Sequence, residues 1–559
     1  MAPVVVAPPV VTPPVVTPPP RVTAFCASTP KETLGADDPF YVNSWHLKNT
    51  GPTQAVSAPN NAGVAGIDAN TEAVHNGGLG CTGKGIVIAI NDSGLELTHE
   101  DIAPNLVAGK SFNFLTMTDD PSPPIPQLTT DHGTGVAGVA IARGWNGKGS
   151  RGTAPFASVV GYVSANEPTP EIGYLAYGGR SKAGTSALVT QFGNRTDVVD
   201  IFNFSAGADF ADVAAFEDDD ALDSQTDSAR VGTQTLRAGK GAVYFQSAGN
   251  SHVDYSGQRR GSGPALAVNC ATTLAEDAAG LGTFSPFTTM SCGNSNQDPA
   301  NKPFWYQVAS KHNTGRASSY STAGAANWIT GFGGEGGIDD GAAIISTVNS
   351  SDKGRIAAIV DFATGARAAA FTANGGTVAL ALDLPWQTNS AGFNFHNRYG
   401  FGLIDATAAV NLAQNYTAPA GRRAANLVKP VTGALATTPV GTQYTRLERQ
   451  VVFGEAAAVS GMMRVDLAVT NTLATGLNPG KLQFELVNNA SGQVSILMPA
   501  FTGWYVGGKT DAIPANGVRK FRFHTNAFYG DSLGGAFTVR VTNVGGAVAF
   551  TSSLTSYSQ

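Results

Sequence analysis

Charge is scarce in this chain of 559 residues: Asp, Glu, Lys and Arg together make up 14% of it, and the formal net charge is −6. No cluster of Lys and Arg stands out, so electrostatics favour neither nucleic acid nor an anionic membrane surface as a partner. Long apolar runs are also missing, because none reaches the ~18 residues that a transmembrane helix needs. These absences predict a chain that neither binds nucleic acid nor spans a membrane.

Cysteine is equally rare, with four residues spread widely along the chain. No C-x-x-C pair is present, which argues against a zinc or thioredoxin-like site. Two interpretations stay open: either the disulfides Cys26–Cys81 and Cys270–Cys292 form, or the four residues are buried free thiols.

The N-terminal segment lacks the features of a signal peptide. The stretch "MAPVVVAPPVVTPPVVTPPP" has no basic start, and its prolines would interrupt an apolar helix. Its repeated V-V-x-P-P unit predicts extended polyproline II structure, which spans ~3.1 Å per residue. We therefore expect residues 1–25 to form a stalk or tether outside any core.

Glycine and proline are abundant, with 67 and 31 residues, and favour short elements joined by many turns, as in extracellular enzymes. Over residues 26–414, apolar runs such as "GIVIAI", "SVVGYV" and "GAVYFQSA" alternate with helix-like segments, which predicts a parallel sheet covered by helices on both faces. A Pro- and Thr-rich linker is expected over 415–440. Over 441–559 the period changes to two, as in "RVDLAVTNT" and "FTVRVTN", which predicts an antiparallel sandwich or jelly roll.

Three polar residues of the α/β domain stand where an element ends or begins. Asp92 follows the strand of "IAINDSGLELTHEDI", His132 opens the helix of "DHGTGVAGVAIA", and Asn250 follows the strand of "VYFQSAGN". Taken singly, each has a structural explanation as a turn cap or a local packing residue. Taken together, they supply a carboxylate, an imidazole base and an oxyanion donor, three of the four parts that acyl transfer by a serine needs.

These motifs resemble those of the subtilisin-like serine proteases, peptidase family S8, and within them the kexin and proprotein-convertase branch with its bacterial relatives. The stretch "DPFYVNSWHLKNTG" is similar to the branch's opening segment, and "FYGDSLGGAFTVRVTN" to the closing motif of its P domain. The resemblance implies a subtilisin-like α/β domain followed by an all-β jelly-roll or sandwich P domain. It also implies a serine endopeptidase that acts on polypeptides and is secreted, periplasmic or held at the cell surface.

The nucleophile is the exception. The family motif G-T-S-x-A-x-P aligns with "GARAAAF", which places Arg367 on the serine, and the resemblance implies that a buried helix begins here and continues through "GGTVALAL". A guanidinium stays protonated and only donates hydrogen bonds, so Arg367 cannot act as the nucleophile. Ser346, Ser350 and Ser351 are the alternative serines nearby. The segment before "WQTN" is also shorter than the family's by a turn and a helix.

The resemblance implies a strand that holds a bound peptide, and it places Ser205 and Gly207 on that strand. Kexin-type enzymes favour basic residues before the cleaved bond because acidic groups line the pocket. In "NFSAGADFAD" the usual tryptophan is missing and the acidic residues Asp209 and Asp212 are displaced. The basic preference is therefore not expected to carry over unchanged.

Structural calcium is a further implication of the resemblance. Calcium requires clustered hard oxygen ligands. The residues that match one calcium site of the family are Asp68, Asp101 and Asn146, and those that match a second are Asp119 and Asp120. Ordinary surface carboxylates are the alternative interpretation of each.

Three functions follow from these observations. The first is a calcium-dependent subtilisin/kexin-like serine endopeptidase, impaired in this chain by Arg367. The second is a pseudoprotease that keeps the fold and binds a peptide near Ser205. The third assigns the function to the C-terminal sandwich as an adhesion or ligand-binding module. The sequence makes no prediction about oligomeric state.

Overall fold

The computed structural model describes most of both predicted domains. The described residues are 35–51, 63–75, 80–123, 132–164, 169–179, 185–206, 220–250, 253–254, 291–292, 294–297, 303–318, 320–335, 342, 344, 346, 368–373, 376–381, 384–414, 429–433, 440–441, 445–453, 459–477, 479–500, 505–506, 509–510, 513–543 and 548–558.

The described residues contain six α-helices, most of them short. They are α1 Glu72–His75, α2 His132–Ile141, α3 Pro170–Ala176, α4 Ala187–Phe192, α5 Asp220–Gly239 and α6 Ala406–Gln414. The N-termini of α3 and α4 are capped by hydroxyls, because Thr169 and Ser186 accept hydrogen bonds from backbone N–H groups of the first turn. Within this described part of the chain, no helix combines the length and the apolarity that crossing a membrane requires.

Strands dominate the rest of the fold. In the α/β domain they are β1 Val87–Asp92, β2 Phe112–Asn113, β3 Ser158–Val163, β4 Ile201–Phe204, β5 Val243–Ser247, β6 Val253–Asp254, β7 Ser291–Cys292, β8 Trp305–Lys311, β9 Asn327–Phe332, β10 Ala368–Ala373, β11 Gly376–Ala381, β12 Gln387–Thr388 and β13 Asn394–Phe395. In the C-terminal part they are β14 Lys429–Gly433, β15 Val440–Gly441, β16 Thr445–Val452, β17 Met462–Asn471, β18 Leu482–Asn488, β19 Val494–Met498, β20 Tyr505–Val506, β21 Lys509–Thr510, β22 Val518–Thr525, β23 Ala536–Asn543 and β24 Val548–Ser558.

A seven-stranded sheet forms the centre of the α/β domain, in the order β2-β3-β1-β4-β5-β8-β9. All neighbouring strands in it run parallel, as the continuous apolar runs predict. On one face, Ile90 belongs to the same core cluster as Ile141 of α2. On the other face, Phe202 and Tyr244 stack with ring centroids 4.8 Å apart. Both faces are therefore covered, and the predicted α/β class is confirmed.

Two antiparallel sheets form the C-terminal sandwich. One has the order β14-β24-β17-β22, with β15 also paired to β24, and the other has the order β16-β23-β18-β19. Buried and half-buried residues alternate along β17, as a strand with one core face requires. Phe484 of β18 contacts Phe521 and Phe523 of β22 at centroid distances of 5.3 and 5.0 Å. These contacts place the core between the two sheets, as the period-two pattern predicts.

The sandwich begins earlier than the sequence indicates. Lys429–Gly433 pairs antiparallel with the C-terminal end of β24, although the composition predicts a linker over 415–440. Pro430 lies in this strand, which is at the edge of its sheet. An edge strand tolerates a residue without an N–H donor, so a Pro- and Thr-rich segment can still form a strand there.

The helix expected through "GGTVALAL" is also wrong. Ala368–Ala373 and Gly376–Ala381 form an antiparallel pair in which Ala373 lies opposite Gly376. The two connecting residues are Asn374 and Gly375. Asn-Gly is the dipeptide most typical of a two-residue hairpin loop, and this local preference outweighs the helical propensity of the alanines.

Of the four cysteines, Cys81 is disulfide-bonded, which excludes the free-thiol interpretation for this residue. Its expected partner Cys26 lies outside the described residues, as does Cys270. Cys292 ends the short strand β7, which pairs with β6.

The two domains meet at a junction built around residues 526–531 of the sandwich. Asn526 donates from its backbone N–H to the carbonyl of Ala325, at 3.0 Å, and its side chain donates to a second carbonyl of the α/β domain, at 2.8 Å. The ring of Tyr529 lies edge-on to Trp328 of β9, with centroids 5.2 Å apart. This junction ties the sandwich to the last strand of the parallel sheet.

Candidate functional site

Three of the predicted site residues follow neighbouring strands of the parallel sheet. Strand β4 lies between β1 and β5, and Asn91 of β1 is in register with Phe204 of β4. Asp92 ends β1 and Ser205 follows β4, so the two residues lie level with each other. Asn250 lies three residues beyond the end of β5. The carboxyl edge of a parallel sheet is where such folds place their chemistry, and all three residues lie at this edge.

Asp92 and His132 form a carboxylate–imidazole pair. The distances from His132 Nδ1 to Asp92 Oδ1 and Oδ2 are 2.8 and 3.0 Å. Asp92 also accepts from the backbone N–H of Ser93 at 2.7 Å, and its side chain is 3% exposed, whereas that of His132 is 58% exposed. A carboxylate only accepts, so the hydrogen bond requires the proton on Nδ1 and leaves Nε2 as a base.

The approach of α2 to β1 depends on the glycine after His132. A Cβ on Gly133 would collide with the carbonyl oxygen of Gly94 and lie 2.8 Å from the Cβ of Asp92. A second contact fixes the same helix, because Thr134 Oγ1 accepts from the backbone N–H of Glu96 at 3.1 Å. The small residues of "HGTG" therefore serve the geometry of the Asp92–His132 pair.

Ser205 and Asn250 complete the described part of this edge. Ser205 is half-buried, and its hydroxyl accepts from Asn203 Nδ2 at 2.9 Å. Asn250 is exposed, and the preceding Gly249 has a φ of +92°, a conformation that favours glycine. The carbonyl of Gly249 accepts from the backbone N–H of Thr322 at 3.1 Å. This contact holds the loop that presents Asn250.

Other predicted site residues lie outside the described part of the chain, namely Arg367, Gly207, Ser350, Ser351, Asp209 and Asp212. Among the alternative serines, Ser346 is described, and its hydroxyl donates to the carbonyl of Gly135 in the first turns of α2. That hydroxyl anchors the residue to the helix that carries His132.

The residues matched to the first calcium site make different contacts. Asn146 donates from Nδ2 to Asp101 Oδ1 at 2.8 Å, so these two residues are in contact. Asp68 lies apart from them in its contacts, since its carboxylate accepts from the backbone N–H groups of Asn49 and Asn70. Among the described residues, no group of three or more His, Cys, Asp or Glu side chains is arranged to hold a metal ion.

The second predicted calcium pair is used in local contacts. Asp119 is ion-paired with Arg195. Asp120 accepts from the backbone N–H of Ser122 at 2.8 Å, as a turn-capping side chain does. Asp101 differs from both, because it is 3% exposed and burial raises the pKa of its carboxyl. Such a carboxylate gains from a nearby cation.

A buried charge cluster that the sequence did not reveal lies close to Asp101. The guanidinium of Arg151, 1% exposed, donates to Asp38 at 2.8 Å and to Asp37 at 3.0 Å. Its central carbon lies 4.0 Å from the ring centroid of Tyr41 and 4.1 Å from that of Trp145. The cluster fixes the opening segment of the domain to the loop after α2. Its only sequence signal is the acidic pair before an aromatic-rich stretch.

Comparisons with known proteins identify related sequences. Residues 83–353 match the family model of the subtilase family. The chain is 28% identical to the extracellular serine protease of Aeromonas sobria, over 92% of this chain and 86% of that protein. It is 24% identical to a PC3-like endoprotease of Hydra vulgaris, over 69% of this chain but only 48% of that protein.

A solved structure matches as well. The crystal structure of the Aeromonas sobria serine protease in complex with a chaperone superposes with a TM-score of 0.69 and 22% identity. The match covers 94% of this chain and 96% of that one. At this identity the match demonstrates a shared fold over both domains.

Proposed function

Because the chain belongs to the subtilisin-like serine protease family, we propose that it holds a polypeptide along Ser205 and that Arg367 leaves it impaired as an endopeptidase. The observation that carries the proposal is the Asp92–His132 pair, in hydrogen-bond contact and level with Ser205. Aspartate holds the imidazole in the tautomer that accepts a hydroxyl proton. The imidazole base and the carboxylate that orients it are therefore retained, although the residue aligned with the nucleophile is Arg367 and not a serine.

Each described residue has a distinct role in this proposal. His132 Nε2 would accept a proton from a nucleophile, and Asp92 would stabilise the imidazolium that results. Asn250 would donate to the oxyanion of the carbonyl under attack. Arg367 cannot complete the set, because its guanidinium has no lone pair to attack with and no proton that it gives up at usable pH. Loss of the serine from such a triad lowers turnover roughly 10⁶-fold, a magnitude that the subtilisin example provides.

A fluorophosphonate probe, which labels only activated serines, tests the proposal. The purified chain should neither label nor cleave casein, while Arg367→Ser should label, because it adds a hydroxyl to a chain that keeps the Asp92–His132 pair. Arg367→Ala is the matched control, since it removes the guanidinium without adding a nucleophile. Labelling of the unmodified chain, mapped to any serine, would contradict the impaired-protease proposal. Absence of labelling in folded Arg367→Ser would show that the site has changed beyond this residue.

The pseudoprotease form of the proposal assigns the chain a binding role alone. It is favoured by the retained Ser205 strand and would take a polypeptide as its partner. Adhesion by an independent sandwich has less support, because residues 526–531 are used to hold the α/β domain. The extracellular relative from Aeromonas sobria supports secretion of this chain too.

We also propose that calcium binds beside Asp101 and Asn146, where it would neutralise a buried carboxylate. Of the matched ligands, only these two are in contact with each other. A carboxyl whose folded pKa is raised stabilises the fold below its unfolded pKa, and this contribution is lost as pH rises through the folded value. Without the ion, Asp101 should therefore lower stability at neutral pH.

Chelation tests the calcium proposal. Excess chelator should lower the melting temperature of the native chain at pH 7.5 and leave that of Asp101→Asn unchanged, because the amide has no charge to neutralise. Asp120→Asn is the control, since that side chain caps a local turn, and it should keep the chelator response. No shift of the native chain in excess chelator would remove the calcium proposal.

A further inference from the structure

Three aromatic side chains form a cluster on the hairpin of β12 and β13. These strands pair antiparallel, with Gln387 opposite Phe395. The next position of this register brings Trp386 opposite His396, and their ring centroids are 5.3 Å apart. Tyr399 lies in the turn that follows, where its backbone N–H donates to the carbonyl of His396 at 3.1 Å. Its ring centroid is 5.8 Å from that of Trp386 and 5.0 Å from that of His396, so these three residues form an aromatic triad.

The aromatic triad is open to solvent at Trp386. This side chain is 47% exposed, and the planes of its ring and that of Tyr399 are 8° from parallel. Gly402 lies against the edge of the indole, because a Cβ there would be 4.0 Å from Trp386 Cη2. Leu403 and Ile404 follow Gly402 and are 37% and 36% exposed. Exposed apolar side chains grouped in this way mark an interaction surface.

This surface lies away from the proposed peptide site. The carbonyl of Tyr399 accepts from the hydroxyl of Thr330 at 2.9 Å. Thr330 belongs to β9, the last strand of the parallel sheet, whereas Ser205 follows β4, three strands away in the order β4-β5-β8-β9. A ligand on the aromatic triad therefore does not occupy the Ser205 strand, and the inference does not depend on the proposed function.

The chemistry of the aromatic triad favours a neutral, proline-rich partner. Exposed aromatic rings bind proline in polyproline II segments, whose conformation is formed before binding and so loses little entropy. Two cations lie next to the rings. Lys311 Nζ is 5.2 Å from the ring centroid of Tyr399, and Arg398 stands in the turn between His396 and Tyr399. A basic partner is therefore disfavoured by like charge.

The N-terminal segment of this chain has the required chemistry. Residues 1–20 contain no charged side chain, and seven of the thirteen residues 8–20 are proline. These prolines occur in three groups, at 8–9, 13–14 and 18–20. The repeat therefore offers the aromatic triad the same Pro-Pro unit at successive positions.

The segment can also reach the aromatic triad. Trp45, ten residues after the first described residue, contacts Phe332 of β9 with ring centroids 5.9 Å apart. Phe332 is paired with Lys311, which lies against Tyr399. Ten residues cover at most ~36 Å even when fully extended, and three contacts complete the path. Residues 10–34 reach about 78 Å at ~3.1 Å per residue, which is longer than this path.

We propose that the proline-rich segment, residues 8–20, folds back on its own domain and docks on the aromatic triad, with its pyrrolidine rings packed against the exposed indole of Trp386. A tethered segment acts at an effective concentration in the mM range. A contact too weak to join separate molecules is therefore still occupied within one chain. The segment then lies along the domain surface beside β9.

Acrylamide quenching of tryptophan fluorescence in the full chain tests the inference. Trp386 is the reporter, since Trp45, Trp145 and Trp305 are at most 6% exposed. A variant with serine in place of the seven prolines of residues 8–20 keeps the length of the segment and removes its docking groups. If the docked state is occupied more than half of the time, this variant should be quenched about twofold more strongly than the native chain.

Three comparisons assign the change to the aromatic triad. In a Trp386→Phe background, the proline-to-serine replacement should leave quenching unchanged, because the reporter is removed while a ring is kept. A synthetic peptide of residues 8–20, added to the proline-to-serine variant, should restore the shielding and saturate. Pro30→Ser is the control, since this proline lies outside the repeat, and it should keep the quenching of the native chain.

The outcomes decide between the possible occupants of the surface. Equal quenching of the native chain and the folded proline-to-serine variant overturns the inference. Shielding that appears only as the protein concentration is raised overturns it too, because the segment then docks on a second copy. An increase in quenching that persists in Trp386→Phe places the contact elsewhere and also overturns it. None of these measurements involves substrate or labelling, so each leaves the proposed function unaffected.

Discussion

Two buried carboxylates show how differently the catalytic edge and the domain junction use the same group. Asp92 is 2% exposed and Asp531 is 1% exposed. Asp531 accepts from Asn488 in the sandwich at 2.8 Å, and from the hydroxyl of Ser390 and the N–H of Ala391 in the α/β domain at 2.6 and 3.1 Å. Asp92 instead directs its oxygens to an exposed imidazole.

The difference lies in what each carboxylate leaves available. Asp531 accepts from neutral donors of two domains, so its hydrogen bonds hold the domains together. The backbone N–H of Ser93 holds the Asp92 carboxylate in place. The carboxylate in turn orients the ring of His132, whose Nε2 can exchange a proton. Burial alone therefore does not distinguish the two carboxylates, whereas the chemistry of the partner does, because Asp92 pairs with an imidazole and Asp531 accepts from amide and hydroxyl donors.

The largest effect is expected at the catalytic edge. In the Arg367→Ser background, Asp92→Asn should slow fluorophosphonate labelling roughly 10⁴-fold, because an amide in this place stabilises the wrong imidazole tautomer. Labelling rates and urea unfolding of the two proteins are measured together. If the free energy of unfolding changes by no more than about 1 kcal/mol, the loss of labelling comes from the wrong imidazole tautomer and not from a damaged fold. If Asp92→Asn slows labelling less than tenfold, Asp92 would not differ in role from Asp531.

A substitution at the junction should change the stability of the fold and leave labelling almost unaffected. Asp531→Ala leaves the buried amide of Asn488 without its acceptor and removes two further hydrogen bonds, so we expect the free energy of unfolding to fall by about 1–3 kcal/mol. Labelling of a folded Arg367→Ser, Asp531→Ala protein should stay within a few-fold. Asp466→Ala is the control, since Asp466 pairs with Arg464 and Arg522 at the partly exposed surface of the sandwich and should cost ~1 kcal/mol or less. If Asp531→Ala and Asp466→Ala lower the free energy of unfolding equally, Asp531 would not stabilise the junction as we expect.

A smaller effect depends on pH and involves one histidine of the α/β domain and one at the junction. Burial lowers the pKa of His46 in the α/β domain to about 4 and that of His524 at the junction to about 3. Both stay neutral in the fold while the unfolded chain takes up protons below its usual value near 6.5. Stability is therefore present above pH 6.5 and is lost as pH falls toward the folded values. At pH 5 each should cost roughly 2 kcal/mol relative to pH 7.5.

Urea unfolding at pH 7.5 and pH 5 measures this effect. The free energy of unfolding should fall between pH 7.5 and pH 5, and each single variant, His46→Phe or His524→Phe, should remove about half of the part of that fall that comes from the two histidines. The double variant should remove all of that part. The His524 variant reports on the junction, because the backbone N–H of His524 donates to Asn296 of the α/β domain at 2.7 Å. Variants that keep the full pH dependence would show that the acid response has another source.

The sequence determined the elements whose signal is local. Runs such as "SVVGYV" predict β3, which spans Ser158–Val163, and the period-two segments predict the strands of the sandwich. A buried parallel strand must be apolar on both faces and a sandwich strand on one, so the periodicity records burial directly. Asp92 and Asn250 could be proposed for a related reason, because residues after parallel strands lie at one edge of the sheet, whereas Ser205 was implied by the family resemblance.

Tertiary structure alone decided which partners meet. Asp38 and Arg151 are 113 residues apart in the chain, and nothing in either local sequence selects the other. Asp68 matches a calcium position in sequence, and only the structure shows that its carboxylate accepts from the backbone N–H groups of Asn49 and Asn70. Hydrophobic burial depends on the spacing of side chains along a strand and can be predicted from sequence, whereas the pairing of polar groups depends on distant loops arriving at one point.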